Sequence, residues 1–112
     1  MYLLLNTFQL FIHLNMNTRR ATGTLTAVTG DASVNIYCST GRIKQIFMKP
    51  ATGTTTFDVT LTDDNSNVIY TTTDEQGEMN DLTDLPAYMN YTLALANASA
   101  DEAFKYVVMI DE

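Results

Sequence analysis

Residues 52–73, TGTTTFDVTLTDDNSNVIYTTT, decide the fold. Phe57, Val59 and Leu61 alternate with Thr56, Asp58, Thr60 and Thr62. A period of two marks a strand with one buried face. DDNSN, residues 63–67, then supplies Asp and Asn, which accept left-handed backbone and bond their own main chain, so the segment reads as a hairpin tip. The returning strand is Asn67–Thr72. Threonine suits such a hairpin because its β-branch favours extended backbone and its hydroxyl makes a polar outer face without charge.

The same pattern extends outward in both directions. Strands are expected at Ala21–Thr29, Ala32–Cys38, Arg42–Lys49 and Thr54–Thr62, then Asn67–Thr72, Tyr88–Ala96 and Ala103–Ile110. Gly30-Asp31, Ser39-Thr40-Gly41 and Pro50 punctuate the first three. Arg42–Lys49 is apolar on both sides near its end, as in a central or interface strand. Helix is expected only in EMNDLTDLPAYM, where Asn80 or Asp81 caps one turn that carries Leu82 and Leu85 into the core before Pro86 ends it. Short strands with turn signals between them predict an all-β, antiparallel β-sandwich, jelly-roll-like, of about seven to eight short strands with an N-terminal arm. A chain of 112 residues suffices for one such core: residues 1–20 as an apolar arm or extra strand, and 21–112 as a single sandwich domain.

In the arm, Tyr2, Leu4, Phe8, Leu10, Ile12, Leu14 and Met16 alternate with polar residues, although Asn6 and Phe11 break the rule. A helical stripe of Leu4, Phe8, Phe11 and Asn15 also fits. Arg19 and Arg20 follow the apolar part instead of preceding it, unlike a signal peptide, and Asn6, Gln9, His13 and Asn15 interrupt any membrane span. An apolar arm of this kind either completes the core or packs on a neighbouring subunit.

The chemistry-bearing residues are few. A net charge of −7 with six basic residues argues against a nucleic-acid surface. The single cysteine, Cys38, makes no internal disulfide and reads as a small core hydrophobe; the single histidine, His13, has no second ligand at metal spacing. Asp63–Asp74 matches a calcium loop in several donor positions, but Val68 stands where the loop needs glycine and Asp74 where it needs a bidentate glutamate. Asp74, Glu75, Glu78, Asp81 and Asp84 read as a solvated acidic loop rather than a glycosidase pair. The expectation is a chain that is not an enzyme and uses no cofactor or metal.

Residues 41–70, GRIKQIFMKPATGTTTFDVTLTDDNSNVIY, and residues 80–104, NDLTDLPAYMNYTLALANASADEAF, resemble small virion-type proteins encoded beside structural genes of tailed bacteriophages. The motifs are GRIKQIF, the Lys49-Pro50-Ala51-Thr52 turn and DLP ahead of the NYTL strand; the arm lies outside the pattern. The resemblance implies a structural virion part assembled in the host cytoplasm, most simply a capsid cement or decoration protein that binds the major capsid protein and copies of itself, with a trimer as the guess. Tail, neck or head-fibre components and a receptor- or carbohydrate-binding module are the alternatives; neither nucleic acid nor a membrane is an expected partner. Candidate interface residues are Tyr2, Leu4, Phe8, Phe11 and Leu14 in the arm, and Arg42, Lys44, Ile46 and Met48 on the third strand.

Overall fold

The computed structural model describes residues 18–38, 41–53, 55–87 and 89–111. Among them there are eight strands and no helix: β1 (Thr18–Ala27), β2 (Ala32–Cys38), β3 (Arg42–Pro50), β4 (Thr56–Asp63), β5 (Val68–Gln76), β6 (Met79–Pro86), β7 (Met89–Ala96) and β8 (Glu102–Asp111). Sheet A has the order β1-β8-β3-β6 and sheet B the order β2-β7-β4-β5, with every pairing antiparallel. First strand therefore pairs with last, second with seventh, third with sixth and fourth with fifth. This is one long hairpin centred on the β4–β5 turn and rolled into two sheets, the jelly-roll arrangement. The expected all-β sandwich is what forms.

The alternation seen in residues 56–62 runs through the structure. Phe57, Val59 and Leu61 of β4 are buried, as are Tyr91, Leu93 and Leu95 of β7 and Phe104, Val108 and Ile110 of β8. These inner faces make one core between the sheets, and the Phe57 and Phe104 rings meet edge-on within it, centroids 5.0 Å apart at 71°. Cys38 is buried in the same core. The turn at residues 63–67 closes as its composition predicts: Asp63 Oδ1 accepts the amides of Asn65 and Asn67, each at 2.9 Å, and Ser66 takes a φ of 66°. Gly23 lets β1 lie close over Tyr106, because a Cβ there would stand 2.8 Å from the phenol oxygen.

Three expectations are corrected. The helical turn expected within residues 78–89 is absent among the described residues. Met79–Pro86 is strand β6, paired with β3, and Leu82 is 83% exposed instead of reaching the core. Met79, Leu82 and Leu85 have helical spacing, yet the strand alternation holds once Asp81 and Thr83 are seen to point inward with partners of their own. Asp81 accepts from the Tyr70 hydroxyl of β5, and Thr83 Oγ1 donates to the Ile43 carbonyl at 2.6 Å. The second correction concerns boundaries: β1 takes in Thr18, Arg19 and Arg20 and ends at Ala27, leaving Val28 and Thr29 in the turn.

The third correction falls on β3, which is an inner strand of sheet A with β8 on one side and β6 on the other. Its pairing shifts between Ile43 and Gln45 in both ladders, a β-bulge at Lys44. An extra residue reverses which side chains face in beyond it. Arg42 and Lys44 consequently lie on the outer side, while Ile46 and Met48 join Ile43 in the core with no exposed surface. Ile46 and Met48 are therefore core residues of the sandwich and not interface residues.

Candidate functional site

Among the described residues, the outer face of sheet A gathers most of the basic side chains around a half-buried apolar centre. Register places its side chains in rows across the strands β1, β8, β3 and β6. Thr18, Asp111, Arg42 and Pro86 form one row; Arg20, Met109, Gln45 and Leu82 the next; Thr22, Val107, Phe47 and Asn80 the third; and Thr24, Lys105 and Lys49 the fourth. The middle rows are apolar at their centre, with Phe47, Val107 and Met109 half-buried and Leu82 standing out. Arg20, Lys49 and Lys105 rim an open depression whose floor is Phe47 and Val107.

Five of the six basic residues are on this face: Arg20, Arg42, Lys44, Lys49 and Lys105. Set against Asp84 and Asp111, they give it a charge of +3, so the remainder of a chain with net charge −7 carries −10. At one corner the charges are matched. Asp84 takes the Arg42 Nε at 2.5 Å and the Lys44 ammonium at 3.2 Å, and its carbonyl takes Arg42 Nη2 at 2.7 Å. The hydrogen bonds from Arg42 and then Lys44 hold the Asp84 carboxyl below the usual carboxylate range. At the other corner they are not. Lys49 and Lys105 sit directly opposite each other on neighbouring strands and make no ion pair among the described residues. Like charges in direct register destabilise a sheet, so this pair is held at a cost by the fold around it.

The outer face of sheet B is different in kind. Thr60 and Thr71 meet across β4 and β5 at 3.3 Å, Thr92 donates to Asn35 at 3.2 Å, and Asn97 Nδ2 donates to Asp58 at 2.6 Å. Asp58 also accepts the Asp74 amide at 2.9 Å, and that bond, followed by the one from Asn97, lowers its pKa. This is a self-satisfied polar surface with Tyr37 as its exposed aromatic.

The acidic residues read as one loop do not form one. Asp74 and Glu75 end β5, whereas Asp81 and Asp84 are in β6. Glu75 accepts from Thr72, Asp81 from Tyr70 and Asp84 from the Arg42–Lys44 pair, so these three carboxylates are engaged structurally. Burial, aided by Asp81, drives the Tyr70 phenol well above its ordinary pKa. Among the described residues no group of three or more His, Cys, Asp or Glu side chains could hold a metal ion, and no helix is long and apolar enough to cross a membrane.

Of the residues singled out from sequence, Arg42 and Lys44 lie on the sheet A face and Ile46 and Met48 behind it. Tyr2, Leu4, Phe8, Phe11 and Leu14 fall outside the described residues. Arg20, Phe47, Lys49, Lys105 and Val107 were missed. The signal for them was present in part, since Phe47 and Lys49 share parity on β3 and Lys105 and Val107 on β8, but only the β3–β8 pairing brings the two pairs together.

No model of a known protein family and no curated protein sequence matches the chain. Solved structures do share its fold. The pre-peptidase C-terminal domain of a collagenase from Bacillus anthracis superposes with a TM-score of 0.57 at 8% identity, covering 82% of this chain and 88% of that one. Chitosan-binding module 1 of a chitosanase/glucanase from Paenibacillus sp. IK-5 gives 0.51 at 10% identity, with coverage of 83% and 94%. PliG of Aeromonas hydrophila, a periplasmic inhibitor of g-type lysozyme, gives 0.50 at 11% identity, with coverage of 83% and 86%. The chain is thus a β-sandwich domain of a widely used kind, and at such identities the likeness is one of fold alone.

Proposed function

We propose that the chain is a structural protein of a tailed-phage particle, of the capsid cement or decoration type, which works by binding protein and carries out no reaction. The observation that carries this reading is the outer face of sheet A: exposed Leu82 with Phe47, Val107 and Met109, inside a ring of cations on an acidic molecule. Apolar centre and charged rim are the anatomy of a protein-binding surface. Residues 41–70 and 80–104, which carry the resemblance to virion proteins, include β3, β4, β7 and most of β6 and so span both sheets. A rigid two-sheet block with contacts on more than one surface suits a clamp, because each joint it bridges adds buried interface against the outward pressure of packed DNA. The major capsid protein and further copies of the chain are the partners, and no cofactor enters.

Placement in the tail, neck or head fibre is the nearest alternative and uses the same face. A glycan-binding module is the reading from a different class. The fold it would need is present, but stacking platforms for sugar rings are not a feature of either described sheet face, where Tyr37 and Phe47 stand on opposite sides. The test is to delete the gene for the chain, purify the particles, and heat them beside the parent. A cement protein leaves particles that form but release DNA at lower temperature, and adding the purified chain restores the parental value. Particles of unchanged heat resistance would refute the clamp.

A further inference from the structure

We infer that the depression on sheet A is the docking site for a second copy of this chain, which enters with the end of its sandwich that carries Val28. The two surfaces are complementary within a single molecule. The depression has an apolar floor, Phe47 and Val107, and a cationic rim, Arg20, Lys49 and Lys105. The opposing surface is the β1–β2 turn, where Val28 is 64% exposed and Asp31 and Asp101 are exposed beside it. An apolar tip between carboxylates thus faces an apolar floor between ammonium groups.

The turn is built to keep that shape. Asp101 donates its amide to the Ala27 carbonyl at 2.6 Å and Ala98 donates to Gly30 at 3.0 Å, so the β1–β2 and β7–β8 turns are stitched together. Asp31 is held by the Asn97 amide at 3.3 Å. Gly30 adopts a φ of +92°, and a Cβ there would stand 2.9 Å from the Ala98 carbonyl, so the close approach of the two turns requires glycine. A tip already fixed in place loses little entropy on docking. On the receiving side, the opposed Lys49 and Lys105 are relieved of mutual repulsion by a carboxylate set between them. Polynucleotide is the less favoured occupant: the −10 remainder repels it, and it offers no apolar tip for Phe47 and Val107.

Because the tip and the depression are different surfaces, the contact is head-to-tail and generates a ring or a row of copies rather than a two-fold dimer. It leaves the rest of the surface for a shell protein, and it stands or falls without the phage assignment, since purified chain suffices to test it. Sedimentation velocity is run on the full chain and on two variants with exposed substitutions, Lys49→Glu/Lys105→Glu and Val28→Lys/Thr29→Lys, with circular dichroism to confirm folding. The wild type is expected to associate with rising concentration, each variant alone to lose that association, and their equimolar mixture to recover a one-to-one contact, because the unaltered tip of the rim variant then meets the unaltered depression of the tip variant. A wild type that stays monomeric, a Lys49→Glu/Lys105→Glu variant that sediments like the wild type, or a mixture that fails to associate overturns the inference. So does a DNA duplex that binds the wild type and not the rim variant in the absence of self-association.

Discussion

Lys49→Glu should make the isolated domain more stable, although it deletes a charge from the face proposed to bind. Lys49 and Lys105 are register partners on β3 and β8, and both side chains are exposed on the outer side. Two ammonium groups about 6 Å apart repel by about 0.7 kcal/mol in water. Salt at 0.15 M reduces this by roughly half. Reversing one sign turns repulsion into attraction of similar size, a change of about 0.7 kcal/mol, within the range of roughly 0.2–1 kcal/mol for cross-strand ion pairs. For a domain of this size that corresponds to a rise in Tm of about 3–5 °C. The assay is thermal unfolding followed by circular dichroism, in dilute protein so that association adds nothing. Lys49→Met should give about half the gain, since it removes repulsion without adding attraction. In 1 M salt, where the screening length falls to about 3 Å, the gain should nearly vanish. A Lys49→Glu protein that melts below the wild type, or a gain that persists in high salt, would show that the two ammonium groups are not opposed as described.

Phe104→Ala should cost about 3–5 kcal/mol in urea unfolding, because it removes a fully buried ring that bridges the sheets through Phe57, whereas Leu82→Ala should stay within about 0.5 kcal/mol. Equal effects would mean that the inner and outer faces have been interchanged. Asp63→Ala should speed hydrogen exchange at the Asn65 and Asn67 amides while leaving exchange at Val59 and Leu93 unchanged; uniform acceleration would contradict a local role for the turn. Asp84 is depressed by Arg42 and Lys44, so its stabilising contribution is present above the ordinary carboxylate range and is lost as pH falls through its own lower midpoint. Arg42→Met should raise that midpoint in an NMR titration, and an unmoved midpoint would place the guanidinium elsewhere.

How much of this was legible in the sequence differs by element. The inward face of β4 and the turn after it were readable, because Phe57, Val59 and Leu61 alternate without interruption and Asp63 bonds locally, although the strand runs Thr56–Asp63 instead of Thr54–Thr62. Strand β6 was hidden because its inward positions include Asp81 and Thr83, whose polarity is satisfied by Tyr70 and by the Ile43 carbonyl, contacts that no local pattern reveals. On β3 the alternation fails at Lys44, and a single added residue was enough to assign Ile46 and Met48 to the wrong side of the sheet. The face proposed to bind was the least legible part. Its residues come from β1, β3, β6 and β8, and their meeting depends on pairing the two ends of the chain with its middle.

The measurement that bears most directly on the proposed role is the stoichiometry of the chain in purified particles of the tailed phage proposed to carry it, by quantitative mass spectrometry against the major shell protein. A clamp for shell joints must be present in numbers comparable to the shell protein itself. Absence from the particle, or a handful of copies per particle, would contradict it.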